Sequence, residues 1–149
     1  MRKALSICYG QIVVFEGALE NPFNSWSERS SAQGFAYRPG SVSFRVPDKD
    51  GMYSVNILTE PRREVAHTPP DIKIVVPFTI TSTCEFGSVI ETYALPVSPG
   101  NYKLTAEIIV GIATIDLIFE KTNTSVLPII LAGPELPDGQ VFFMNETPA

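Results

Sequence analysis

The chain has 149 residues, with 16 acidic against 11 basic side chains and a formal net charge of −5. Hydrophobic residues make up 44%, which excludes a disordered chain and suits one domain over residues 1–149. The acidic balance excludes the basic footprint of direct nucleic-acid binding. The longest apolar region, Ile108–Phe119, contains Thr114 and Asp116 and is too short to span a bilayer.

Reading from the N-terminus, basic residues precede an apolar stretch, but Tyr9, Gly10 and Gln11 interrupt it and no clear cleavage site follows. The stretch Leu5–Phe15 is therefore read as a first strand, and a cytoplasmic location as the default. Next comes the run from Trp26 to Phe44. Ser25 can cap a helix, and Glu28 three residues on would complete a capping box. Gly34 can take the left-handed conformation that ends a helix. The spacing predicts a short helix over Ser25–Gln33, flanked by Trp26 and Phe35. Arg38-Pro39-Gly40-Ser41 then turns the chain into a strand over Val42–Val46.

Alternation dominates the remainder. Tyr53, Val55 and Ile57 alternate with Ser54 and Asn56, and Ile72, Ile74, Val76, Phe78 and Ile80 form a longer run. Tyr102, Leu104, Ala106, Ile108 and Val110 follow the same rule. Each run offers one apolar face, because successive strand side chains point to opposite sides. Pro77 cannot donate a ladder hydrogen bond, which puts its strand at an edge or a bulge. Further strands are expected at Val89–Leu95, Ile112–Phe119, Val126–Leu131 and Gln140–Met144, separated by turn-forming clusters. About eight short strands and one short helix near the N-terminus predict an antiparallel β-sandwich, with a partly closed barrel as the alternative.

Little in the chain points to catalysis. His67 is the sole histidine, beside Pro69 and Pro70, and no nucleophile elbow surrounds it. Cys8 and Cys84 stand in strand-like runs that bury thiols rather than activate them, and no metal-ligand spacing links them. Asp48-Lys49-Asp50-Gly51 lacks the later ligands of a calcium loop and is explained by turn chemistry. The expectation is a non-enzyme with no cofactor or metal. A sandwich of this kind binds through loops, faces and edges. Glu16 and Glu20 after the first strand, Asp48 and Asp50 at a turn, and Glu85 and Glu91 around a later strand are solvated charges singly, and a negative surface as a group.

Several segments carry a resemblance in order. Leu5-Ser6-Ile7-Cys8-Tyr9-Gly10-Gln11-Ile12-Val13-Val14-Phe15 resembles the opening strand of the competence protein J family. Trp26, Gly34-Phe35-Ala36, Gly40-Ser41-Val42-Ser43-Phe44 and Val75-Val76-Pro77-Phe78 continue it. So does Leu95-Pro96-Val97-Ser98-Pro99-Gly100-Asn101-Tyr102-Lys103-Leu104. The likeness covers residues 5–105, whereas the loop Glu60–Asp71 and the tail from Pro134 match poorly. It implies a non-enzymatic inhibitor of the bacterial DNA-entry nuclease, or an immunity-type protein against a related basic toxin. Such a partner presents a basic cleft, which carboxylates can occupy where phosphates would sit, with a buried aromatic as anchor. The partner-binding residues expected on this reading are Glu16, Glu20, Trp26, Tyr37, Asp48 and Asp50, with Phe23 and Phe35 as further aromatic candidates. For Trp26 and Phe35 the competing reading, that they fill the domain's own core, is the favoured one. Two other classes remain open: a ligand- or carbohydrate-binding sandwich, and an assembly subunit that pairs through an edge strand such as Ile72–Ile80.

Overall fold

The first two strands, β1 (Arg2–Ile7) and β2 (Gln11–Glu16), lie in different sheets. The core residues are odd-numbered in β1, Leu5 and Ile7, but Ile12 and Val14 carry the core face of β2. An unbroken strand cannot send both sets to one side. The chain breaks at Tyr9 and Gly10, whose φ values of 57° and 59° are the pair of positive angles that a primed turn requires. The stretch Leu5–Phe15, expected as a single strand, is therefore parts of two strands joined by this turn. The structure, a computed structural model, describes residues 1–47, 50–62, 68–137 and 139–149.

After the short helix α1 (Glu28–Gln33) come β3 (Phe35–Arg38), β4 (Ser41–Arg45), β5 (Gly51–Leu58) and β6 (Ile72–Ile80). They are followed by β7 (Cys84–Gly87), β8 (Thr92–Ala94), β9 (Gly100–Ile109), β10 (Thr114–Lys121) and β11 (Ile129–Ala132). A six-stranded sheet runs β1-β5-β10-β9-β6-β11, and a five-stranded sheet runs β3-β4-β2-β7-β8. Neighbours are antiparallel except β5 and β10, which run parallel. The inner faces meet in one core. Tyr53, Ile74, Phe78, Leu104 and Phe119 come from the larger sheet, and Val14, Phe35, Phe44 and Phe86 from the smaller. Burying a side chain of this size contributes about 1.5–3 kcal/mol.

The sandwich is as expected, but its strands are more numerous and shorter. β3 and β7 were not foreseen, and Val89–Leu95 contracts to β8. Ile112–Phe119 becomes β10, entered through a 3₁₀ turn at Val110–Ile112. Val126–Leu131 contracts to β11, and Gln140–Met144 forms no strand. Strand β6 is not an edge strand: β9 pairs along its whole length and β11 along Lys73–Val75. Beyond Val75 that second side is open, so Pro77 lies where β11 no longer covers β6, and its carbonyl accepts the Tyr37 hydroxyl at 2.7 Å.

Two irregular segments complete the fold. The connector before α1 covers the outer face of the five-stranded sheet, and Ser41 and Ser43 keep that face small enough for close approach. Buried Asn24 donates to Ala36 O at 3.3 Å and to both serine hydroxyls at 3.0 Å, while its Oδ1 accepts Arg38 Nε at 2.7 Å. The C-terminal tail then crosses α1. The helix cap is Ser27, not Ser25, and Ser27 Oγ accepts from Ser30 N. In a capping box a carboxylate one turn on would bind the cap residue's own N–H. Here Ser27 N donates to Glu146 Oε2 at 3.1 Å, so a residue from the far end of the chain fills that place instead of Glu28. Ser25 instead joins the tail through Thr147 O and Pro148 O.

Candidate partner-binding surface

Around the Tyr9–Gly10 turn, three contacts hold side chains from distant segments together. The Asp50 carboxylate accepts Tyr9 N at 3.2 Å and Gly10 N at 2.9 Å. One residue on, Gln11 Oε1 accepts Trp26 Nε1 at 3.2 Å. The Arg45 guanidinium lies 4.7 Å from the centre of the Trp26 ring. A cation over an exposed indole contributes about 0.5–1 kcal/mol, enough to bias the ring's orientation. The same end opens into a groove of about 550 Å³ between the mouths of the two sheets. Arg45, Pro47, Asp71 and Val110 line it, and Asp71 Oδ2 accepts Val110 N at 2.7 Å.

Large apolar side chains surround this end. Tyr9 is 81% exposed, Met52 60% and Ile112 62%. Met52 and Ile112 each stand two residues before the parallel pair Ser54–Thr114, which brings them to neighbouring strand starts. Exposed apolar side chains at the same end of the sandwich as carboxylates and a cation–π pair suit protein recognition.

The acidic residues singled out in the sequence do not form one patch. Asp50 belongs to the end just described, and Asp48 lies outside the described residues. Glu16 stands at the other end of β2, about 17 Å away at 3.4 Å per residue. There its Oε1 accepts Thr81 N at 2.5 Å and Thr81 Oγ1 at 2.6 Å. Glu20 is exposed nearby in sequence. Glu85 accepts the Thr92 hydroxyl at 3.0 Å, and Glu91 accepts Ser6 N at 2.9 Å and the Tyr93 hydroxyl at 3.0 Å. These last two carboxylates tie strands together.

The aromatic candidates separate too. Phe35 is fully buried in the core, so it offers no anchor to a partner. Tyr37 is half-buried and bolts the sheets through Pro77, and burial pushes its hydroxyl pKa up. Trp26 is half-buried, with Arg45 over its ring and its Nε1 held by Gln11. Tyr53 is in the core, and Tyr93 leans on Phe86 with Lys3 4.5 Å from its centre, so these rings make no shared platform for a sugar. Arg45, Gln11, Tyr9, Met52 and Ile112 are not among the site residues that the sequence suggests. The Tyr-Gly turn was the one readable signal for their meeting place.

The thiols are free, with Cys8 half-buried and Cys84 buried. Burial pushes the Cys84 thiol up to about 12, which keeps it protonated and unreactive. His67 lies outside the described residues. Among the described residues no group of three or more His, Cys, Asp or Glu is placed to hold a metal ion. Among them, also, no helix is long and apolar enough to cross a membrane.

Comparison with known proteins bears directly on this arrangement. The family described as Competence protein J (ComJ) matches residues 4–123. No curated protein sequence matches the chain. Among solved structures, the chain is similar to "Crystal structure of ComJ, inhibitor of the DNA degrading activity of NucA, from Bacillus subtilis". The two are 20% identical with a TM-score of 0.71, over 82% of this chain and 96% of the other, which shows a shared fold. The family match runs from within β1 to just past the end of β10 and leaves the first three residues, β11 and the tail outside it, so the chain belongs to the competence protein J family.

Proposed function

We propose that this protein is a non-enzymatic inhibitor that blocks a DNA-degrading nuclease by binding it. The observation that carries the reading is family membership over residues 4–123, joined to a fold shared with a ComJ that inhibits the DNA-degrading activity of NucA. The contact surface in this proposal is the Tyr9–Gly10 end. Trp26 is the aromatic anchor, and Asp50, with Asp48, supplies the negative charge that meets a basic cleft. Tyr9 beside Asp50, and Met52 and Ile112 at the starts of β5 and β10, add apolar contact area at the same end. Glu16 and Glu20, at the other end of β2, add to the long-range attraction of an acidic protein for a basic one. Tyr37 supports the surface from within the sandwich.

A nuclease titration tests this reading. A fixed amount of the host's DNA-degrading nuclease digests a fluorescent duplex while this protein is added. Loss of activity in proportion to added protein, with a slower association rate as salt rises, is expected. Full nuclease activity at a large molar excess would reject the inhibitor role, and an association rate indifferent to salt would reject its electrostatic part. A cytoplasmic site of action follows from the same proposal, and fractionation of host cells checks it.

A further inference from the structure

Four strands end the two sheets, and the chain treats one of them differently. At β1, Ser6 N donates to the Glu91 carboxylate. At β3, Phe35 O, Ala36 O and Tyr37 O accept from Gln33, Asn24 and Glu146. The third, β8, is three residues long. The fourth, β11, makes no hydrogen bond among the described residues beyond its pairing with β6. Folded proteins guard such an edge with charge, proline, a bulge or short length, and β11 keeps to four residues with a register shift between Ile130 and Ala132. Here no charged residue stands between Lys121 and Glu135, and Leu127, Ile129 and Leu131 are 82%, 47% and 56% exposed.

The surroundings of β11 restrict what can occupy it. The returning segment sets Pro134, Glu135, Leu136 and Phe142 opposite Ile129 and Ile130, across a groove of about 430 Å³. Such an overhang hinders the flat edge of a second folded sheet and leaves room for one extended segment. Charge agrees. Exposed Glu135 is the one charged residue lining this groove among the described residues, and no Lys or Arg follows Lys121 in the chain. Two copies meeting here would bring like charges together, whereas a segment bearing Lys or Arg would be attracted.

We infer that the free edge of β11 and its groove receive an extended segment of a protein partner, apolar at alternate positions with Lys or Arg between them, as a seventh strand of the larger sheet. Backbone hydrogen bonds to β11 supply affinity, and Ile129, Ile130, Leu136 and Phe142 select the apolar side chains. The surface lies outside the residues matched by the family, and of the residues lining its groove only Pro134 also lines the groove at the Tyr9–Gly10 end, so its test is separate from the nuclease titration.

The test uses the full chain and a capped, fluorescent eight-residue peptide of alternating valine and lysine, followed by anisotropy and amide hydrogen exchange. Saturable binding is expected, with exchange slowed at Ile129–Ala132. Ile129→Lys and Leu131→Lys should each weaken binding about ten-fold, or about 1.4 kcal/mol. Both positions are exposed, and circular dichroism checks that the variants fold. Glu135→Lys should weaken binding and flatten its salt dependence. The inference is overturned if no saturation occurs up to about 1 mM peptide, if both lysine variants bind like wild type, or if the slowed amides lie elsewhere. A concentration-dependent dimer that Leu131→Lys abolishes would assign the edge to a second copy and overturn the proposed occupant.

Discussion

Replacing Glu146 by alanine cuts a buried link between the tail and the start of α1. The residue is 7% exposed, and its carboxylate accepts four hydrogen bonds: Ser27 Oγ and Ser30 Oγ at 2.6 Å, Thr147 N at 2.9 Å and Ser27 N at 3.1 Å. Burial alone would raise its pKa. The donors from Ser27, Ser30 and the two backbone amides outweigh burial and lower it from 4.5 to about 2. Hydrogen bonds to a charged group contribute about 1.5–3 kcal/mol each, but these share one carboxylate and do not add. Discounted for a site close to the protein surface, the loss in Glu146→Ala is about 2–3 kcal/mol. In a chain of this size that is a fall in Tm of about 4–12 °C. The pH dependence has a definite sign. A carboxyl held below its unfolded value stabilises fully above about pH 4.5, and this stabilisation is lost as the pH falls toward about 2. Urea unfolding of wild type and variant, repeated from pH 7 to pH 2.5, should show a stability gap that closes below pH 4.5. Equal stability at pH 7, or a gap that persists unchanged to pH 2.5, would refute the reasoning.

Other expectations follow from single contacts. In the folded protein a thiol reagent at pH 8 should label Cys8 and spare Cys84, with both labelled in denaturant; rapid labelling of Cys84 in the native state would contradict its burial. Gly34 ends α1 at φ 81°, and a Cβ there would stand 2.9 Å from Pro134 Cγ. Gly34→Ala should therefore lose about 1–2 kcal/mol in a denaturant titration. At Gly87 a Cβ would stand 2.1 Å from the Glu91 carbonyl oxygen and 2.6 Å from Thr92 Cα, backbone that cannot move without opening β7–β8. Gly87→Ala should cost about 3 kcal/mol, read by thermal unfolding. Trp26→Ala should weaken nuclease binding about ten-fold or more, measured by calorimetry, while Tm falls by only a few degrees.

Much of the fold could be read from alternation. Val42–Val46, Tyr53–Ile57, Ile72–Ile80 and Tyr102–Val110 all became strands because each has an apolar face of period two. The failures have physical causes. The change of parity between Ile7 and Ile12 was visible, but the run of apolar residues masked it; Val13 and Phe15 are buried as well, beneath the connector. Strands β3 and β7 are four residues each, too short for periodicity to register. The helix start was placed two residues early in its cap, because the carboxylate that completes it comes from Glu146, more than a hundred residues away, and no local pattern announces that. The site was legible in part. Trp26 and Asp50 were singled out separately, and their meeting depends on Gln11 and the Tyr9–Gly10 turn. Acidity was legible as a number, but the division of Glu16 and Asp50 between opposite ends of β2 follows from topology alone.

One comparison tests the central claim, that the Tyr9–Gly10 end blocks the nuclease. Met52→Lys/Ile112→Lys, altered at two exposed positions of that end, and Glu20→Lys, altered at the other, are titrated beside wild type into the DNA-degradation assay. The double variant should need at least about ten-fold more protein for half-inhibition, whereas Glu20→Lys should lower only the association rate. Equal inhibition by wild type and the double variant, with the large loss in Glu20→Lys, would contradict the account and move the contact surface to the opposite end of the sandwich.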